Sequence, residues 1–252
     1  MSTRKIHLLL TKEHIRPDWM DERKIAVVFD VLLATSTIVS CLSFGAKKVY
    51  PAFNEEKAIA LAQTMPEGSS VLASELDGKT IKGFTQPTPL YLRKNCLDKH
   101  VILASTNGTV AIGCSSGAHK TYIGSIMNIE ATAQSLMEDC CDRTIMIVCA
   151  GSAGNFCMED FLGSGLLLQS LSTYTNLLMN DAAMAAYCLA GKKPMDITEV
   201  LKRSKTGRML VENGYGQDIE WIAKQNAIPF SAILDEDGFI RKKEEKHTDW
   251  LV

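Results

Sequence analysis

Ile25-Ala26-Val27-Val28-Phe29-Asp30 is the stretch that decides the fold: five apolar residues stopped by a carboxylate. A run of that length without polar alternation reads as a strand buried on both faces, as in a parallel sheet covered by helices. Four further runs end in the same way. Val71-Leu72-Ala73 stops at Ser74-Glu75, Val101-Ile102-Leu103-Ala104 at Ser105-Thr106-Asn107-Gly108-Thr109, Thr121-Tyr122-Ile123 at Gly124-Ser125, and Ile145-Met146-Ile147-Val148-Cys149 at Ala150-Gly151-Ser152. Most are followed by a helical pattern, so the chain predicts an α/β fold with a mainly parallel buried sheet and flanking helices. In such sheets ligands bind outside the carboxyl ends of the strands, which is where these polar turns lie.

The segments between the runs support this grammar. Asn54-Glu55-Glu56 opens a helix through Met65, Asn128 precedes a helical run to Met137, and Asn180-Asp181 starts an alanine-rich helix closed by Gly191 with Pro194 beyond. Ile197 to Lys205 and Tyr215 to Gln225 read as helices, and Ile228 to Leu234 and Phe239 to Arg241 as a hairpin around Asp235-Glu236-Asp237-Gly238. Lys242-Lys243-Glu244-Glu245-Lys246 reads as solvated. The segment from Val27 to Ala46 and that from Ile147 to Ser170 echo one another as strand, polar turn and helix, which suggests two α/β lobes, 1–125 and 126–252, or one compact unit.

Composition narrows the class. The chain has 252 residues, 46% of them hydrophobic and 22% charged, enough to bury a large core. A net charge of −2 offers no basic field for nucleic acid. The apolar stretch after the basic start, Ile6 to Leu10, is too short for a signal peptide or a membrane span, so a cytoplasmic location is expected. Eight cysteines show no CxxC spacing and read as reduced thiols, which disfavours zinc. The five histidines are isolated from one another. Met184 to Leu189 reads as core or, alternatively, as a subunit contact in a homodimer.

Four carboxylates are candidates for the chemistry: Asp30, Glu75, Glu159 and Asp160. Hard oxygen ligands suit Mg²⁺, which takes one or two carboxylates together with water and phosphate oxygens. Beside them lie turns suited to an anion. Ala34-Thr35-Ser36-Thr37 and Ser105-Thr106-Asn107-Gly108-Thr109 each open a helix with hydroxyls and free N–H groups, and Gly151-Ser152-Ala153-Gly154 lets backbone approach a ligand. Two other phosphatase mechanisms fail on spacing. An aspartyl-phosphate enzyme wants a second acid two residues after Asp30, where Leu32 stands, and a cysteine phosphatase wants Arg where Asn155 follows Cys149. Neither GxxxxGK[ST] nor GxGxxG occurs. Metal-assisted attack of water is what remains.

Taken jointly, these residues resemble the 2-phosphosulfolactate phosphatases of coenzyme M biosynthesis. The resemblance runs from Val28-Phe29-Asp30-Val31-Leu32 and Ala34-Thr35-Ser36-Thr37-Ile38 through Ala73-Ser74-Glu75, Gly83-Phe84 and Ser105 to Ala111. It continues through Gly124-Ser125, Cys149-Ala150-Gly151, Met158-Glu159-Asp160, Ser204, Gly207-Arg208, Asp218 and Pro229. It implies Mg²⁺-dependent hydrolysis of a phosphate ester on a small sulfonated acid. The chain departs from that pattern where Leu33 replaces the usual arginine and where Thr85-Gln86-Pro87-Thr88-Pro89 replaces an acid followed by Gly-Asn-Ser-Pro. Arg208, or more weakly Lys79, Lys82 or Lys205, is the candidate for the missing positive charge.

The expected mechanism places Mg²⁺ on Asp30 and Asp160, helped by Glu75 or Glu159. Thr35, Ser36, Thr37, Thr106, Asn107, Gly108, Thr109 and Gly151 would hold the small phosphate or sulfonate substrate, and Arg208 would neutralise developing charge. The alternatives are a phosphatase for another small organic phosphate and a non-catalytic binder of such a metabolite.

Overall fold

The five apolar runs are strands, and they are the centre of the molecule. The computed structural model describes residues 3–76, 79–192 and 195–244, without the side chains of Pro17, Glu75, Leu76 and Lys79. Pro194, Glu245, Lys246 and His247 fall outside the described residues. In chain order the elements begin β1 (Thr3–Leu9), β2 (Lys24–Phe29), α1 (Ala34–Ser43), β3 (Lys48–Ala52), α2 (Glu55–Gln63), β4 (Ser70–Leu76) and β5 (Lys79–Thr80). They continue with α3 (Pro89–Leu92), β6 (His100–Ala104), α4 (Gly108–Ser115), β7 (Lys120–Gly124), α5 (Ile129–Asp139), β8 (Thr144–Cys149) and α6 (Met158–Leu171). The last are β9 (Asn176–Met179), α7 (Asp181–Ala190), α8 (Ile197–Arg203), α9 (Lys205–Glu212), α10 (Gly216–Ile222), β10 (Ala232–Leu234) and β11 (Ile240–Lys242).

All described strands join one sheet in the order β5-β4-β6-β3-β11-β10-β7-β2-β8-β1-β9. Two parallel blocks compose it, β4-β6-β3 and β7-β2-β8-β1-β9. The β10-β11 hairpin joins them, because Ala232 pairs with Ile123 and Ile240 with Val49, both antiparallel. The turn is held by the backbone bond from Asp235 N–H to the Phe239 carbonyl and by an ion pair from Lys48 Nζ to Asp235 Oδ2 at 2.7 Å. Strands from both sides of residue 125 alternate across this sheet, and the two echoed segments are neighbours, with Phe29 opposite Cys149. The fold class is the one read from the chain. Every residue from Ile25 to Phe29 is fully buried, as expected of a strand covered on both faces.

Local chemistry explains the helix boundaries. Asn54 Oδ1 accepts from Lys57 N–H at 2.9 Å and Asn180 Oδ1 from Ala183 N–H at 3.1 Å, the caps expected of those residues. At Asn128 the expectation needs correction. The cap is Ser125, whose side chain and that of Asn128 satisfy each other's N–H groups around a short 3-10 turn before α5. The helix expected to run from Ile197 to Lys205 ends at Arg203. Ser204 is extended and caps a new helix, accepting from Gly207 N–H at 3.0 Å. On α7, Ala183, Ala186 and Ala190 are buried and Met184 is exposed, so this helix contributes one narrow face to the core.

Helices α6 and α7 pack through small residues. A Cβ on Gly165 would run into the Ala186 carbonyl oxygen and come within 3.0 Å of Ala190 Cβ. A backbone carbonyl cannot swing aside, so the overpacking of about 1–3 kcal/mol outweighs the propensity gain of about 1 kcal/mol. Gly165→Ala is therefore expected to lower the urea midpoint, and an unchanged or higher midpoint would contradict this packing.

Candidate active site

Opposite strand directions converge on one cavity. Three antiparallel pairings separate β3 from β7, so the two parallel blocks run in opposite senses. Five strand spacings lie between β6 and β2, about 24 Å in a flat sheet. Yet a Cβ on Gly108, which follows β6, would overlap the Asp30 carboxylate, which follows β2. The sheet therefore coils enough for the carboxyl ends of the two blocks to face each other, with α4 packed on both β2 and β3.

Between those ends lies a cavity of about 440 Å³ whose wall includes Asp30, Glu159 and Asp160. An annex of about 130 Å³ shares Ser152, Cys157, Glu159 and Thr206 with it. Helices α1, α4 and α6 begin at this wall, with Ala34, Asn107 and Cys157 lining it. Their amino-terminal dipoles thus favour negative charge at one place.

The carboxylates are held differently. Asp30 accepts from the N–H groups of Gly108 and Ala34, at the first turns of α4 and α1. Burial, then the charge of Glu159, push its carboxyl up to about 7, against those donors and Lys12. Asp160 also has two backbone donors, with Oδ1 accepting from Val31 N–H at 2.8 Å and Oδ2 from Gly151 N–H at 3.1 Å. Burial, then Asp30 and Glu159, raise it well above the carboxylate range. Glu159 is just as buried, but no hydrogen bond among the described residues holds its carboxylate.

The chain thus brings together three of the four expected acids. Glu75 lies within β4 rather than after it, and its side chain is outside the described residues. Among the described residues no three His, Cys, Asp or Glu side chains form a set that could hold a metal ion by themselves. The larger carboxylate shell expected from the sequence is not formed by them. Two carboxylates from Asp30, Glu159 and Asp160, completed by water and phosphate oxygens, still fit the preference of Mg²⁺ for hard oxygens.

Several expected substrate contacts are spent on structure. Thr35 Oγ1 donates to the Asp30 carbonyl at 2.9 Å and accepts from Asp30 N–H at 3.0 Å. Ser36 Oγ meets Ser125 Oγ at 3.0 Å, and Thr37 Oγ1 donates to the Pro87 carbonyl at 2.7 Å. Thr109 Oγ1 donates to the Ser105 carbonyl at 2.7 Å. All four are buried and none lines the cavity; their role is to shape the turns that carry Asp30 and Asn107. Gly108 is a donor to Asp30 rather than to a ligand. Thr106, Asn107 and Gly151 do line the cavity.

Arg208 is also corrected. It is exposed, donates from Nη1 to the Arg203 carbonyl at 2.5 Å, and does not line the cavity. On α9 the residues that do are Thr206, Met209 and Leu210, because the helical period turns position 208 outward. Lys82 and Lys205 are exposed, and Lys205 lines only the annex.

Sequence reading missed Lys12. It follows β1 and lines the cavity, and Nζ donates to Asn107 Oδ1 at 2.9 Å and to Glu13 Oε1 at 2.7 Å. The signal was present, since Ile6 to Leu10 is another apolar run ending on polar residues, Thr11-Lys12. Pro87, Cys157 and Thr206 also line the cavity; each lies in or beside a stretch that carries the family resemblance, but none has a side chain whose chemistry marks it as a contact.

Comparison with known proteins identifies the family. The 2-phosphosulpholactate phosphatase family matches residues 9–237. A probable 2-phosphosulfolactate phosphatase of Carboxydothermus hydrogenoformans is 32% identical over 207 residues, covering 82% of this chain and 84% of that protein. One of Caldanaerobacter subterraneus subsp. tengcongensis is 32% identical over 226 residues, 89% of this chain and 92% of that protein. A third, of Clostridium beijerinckii, is 30% identical over 227 residues, 89% and 94%. With the matched span enclosing the acids that share the cavity, the chain belongs to the 2-phosphosulfolactate phosphatase family and is a phosphoric monoester hydrolase.

Proposed function

We propose that this enzyme hydrolyses 2-phospho-3-sulfolactate to 3-sulfolactate and phosphate, as a step of coenzyme M biosynthesis, in a Mg²⁺-dependent reaction. One observation carries the reading: Asp30, Glu159 and Asp160 are buried in the wall of one cavity, close enough for their charges to act on one another, with a single lysine among its described lining residues. Uncompensated, such a cluster is costly; a divalent cation relieves it and leaves the acids ionised. The names of the relatives supply the substrate.

Asp30 and Asp160 are the residues suited to hold the ion, because pairs of backbone N–H groups orient each carboxylate before anything binds. When bound, Mg²⁺ supplies Lewis-acid polarisation of the phosphoryl oxygens and lowers the pKa of water. Glu159, unrestrained by hydrogen bonds among the described residues, is the base that takes a proton from the attacking water at its carboxylate. Thr106 at the rim and the loop from Gly151 to Ala153 provide contacts to the rest of the ester. Coiling of the sheet closes the apolar side of the site with Leu32, Leu33, Leu103 and Leu210, limiting water around the reacting group.

No helix of the described residues is long and apolar enough to cross a membrane. Eight free thiols support a reducing, cytoplasmic location. Phosphate release from phosphosulfolactate with magnesium, and loss of most turnover in EDTA, are the expected results. Full turnover in chelator would reject the metal role. Leu33 and Pro87 at the cavity favour, as a second reading, a different small organic phosphate; a panel of esters with phosphosulfolactate inert would select it.

A further inference from the structure

Lys12 is the one lysine or arginine lining the main cavity among the described residues, and its surroundings fix where its charge lies. Its backbone N–H donates to the Ala150 carbonyl at 3.1 Å, which ties the turn after β1 to the end of β8. Its side chain is 13% exposed, with Nζ held between Glu13 at the solvent side and Asn107 at the start of α4. Asn107 Oδ1 also accepts from Ala153 N–H at 3.4 Å, so one amide oxygen joins three loops of the cavity around the ammonium. An ammonium has three protons, and these contacts place two of them.

No other described lysine or arginine lines the main cavity. Leu33 presents an apolar side chain to the cavity, and Arg208 points away from it. Ionised acids in the same cavity repel a phosphate dianion, so a ligand of that charge needs positive charge fixed within the cavity. We propose that Lys12 Nζ directly binds the phosphoryl oxygens of the substrate, and that Asn107 positions it for that contact. The proposal rests on the phosphatase reading but not on the identity of the alcohol that carries the phosphate.

Calorimetric titration with inorganic phosphate, in magnesium, tests it on wild type, Lys12→Met, Lys12→Gln and Lys12→Arg. A charge-assisted contact is worth enough to weaken phosphate binding about 10- to 100-fold in Lys12→Met and Lys12→Gln, and Lys12→Arg should stay within about threefold of wild type. For the ester, KM should rise more than kcat falls. If Lys12 merely ties Asn107 in place, phosphate affinity will not move while kcat drops. Binding within about threefold of wild type in a folded neutral variant overturns the proposal, and so does failure of wild type to bind phosphate. Lys12-dependent phosphate binding in an enzyme that leaves phosphosulfolactate intact would instead overturn the substrate assignment and leave Lys12 in its role.

Discussion

Asp30→Asn is expected to cut phosphate release by about 10²- to 10⁴-fold in a protein that folds normally. Asparagine keeps an oxygen for the Gly108 and Ala34 N–H groups that meet Asp30 but loses the charge on which ion binding depends. The same substitution should raise stability in the absence of metal at neutral pH. Burial and Glu159 raise Asp30 from 3.8 to about 7 in the folded chain, so the native state binds the proton more tightly than the unfolded state does. Stability from this group is therefore fully present below the unfolded value and declines as pH rises between about 4 and 7. Asp30→Asn removes that decline. Thermal melts of both proteins across this range, without metal, would show a flatter profile for the variant; a steeper one would contradict the burial argument. Added magnesium should raise the wild-type melting temperature and have less effect on the variant.

Gly108→Ala is expected to abolish most activity although it adds one methyl group. That carbon would overlap Asp30 Oδ2 and come within 2.6 Å of Ala34 Cβ and 2.8 Å of Asp30 Cβ. Relief requires α4 to withdraw from α1 by about 1 Å, the shortfall from ordinary contact, which breaks the Gly108 N–H contact and displaces Asp30. Displacements of about 1 Å at a reacting centre cost about 10²-fold in rate, so a loss of that order in kcat is the expected reading. Overpacking should also lower stability by about 1–3 kcal/mol. Full activity with unchanged stability would mean that α4 and α1 are not in contact through this residue.

Much of this architecture was legible because strands buried on both faces leave an unmistakable mark. Ile25 to Phe29 and Ile145 to Cys149 have no polar residue, so they had to be covered on both sides, and they are neighbours at the middle of the larger parallel block. Caps at Asn54 and Asn180 were legible for a similarly local reason, since an Asx side chain before a helix has one preferred partner two or three residues on. Position 208 shows the limit. Arg208 lies on α9, a helix not expected from the sequence, and the start that Ser204 caps decides which residues of α9 face inward, so that Thr206 and Met209 reach the cavity and Arg208 does not.

The hydroxyls show another limit. Ser and Thr beside a strand end read equally well as phosphate donors and as turn formers, and the sequence contains nothing that separates the two. Thr35, Ser36, Thr37 and Thr109 bond to Asp30, Ser125, Pro87 and Ser105 because dense packing leaves no water to satisfy them.

From the sequence alone came the class of fold and the candidate acids, Asp30 at a strand end and Glu159 and Asp160 on the helix after the fifth run, because apolar periodicity and the polarity of the turns that follow it are local and survive without coordinates. Which ends meet was a property of the tertiary structure. The β10-β11 hairpin inserts between two parallel blocks and reverses one against the other, and the coiled sheet then sets Gly108 on Asp30 and Lys12 on Asn107 across gaps of 78 and 95 residues in the chain. No spacing rule reaches that far, since the contacts depend on summed twist and on burial shared by the whole sheet.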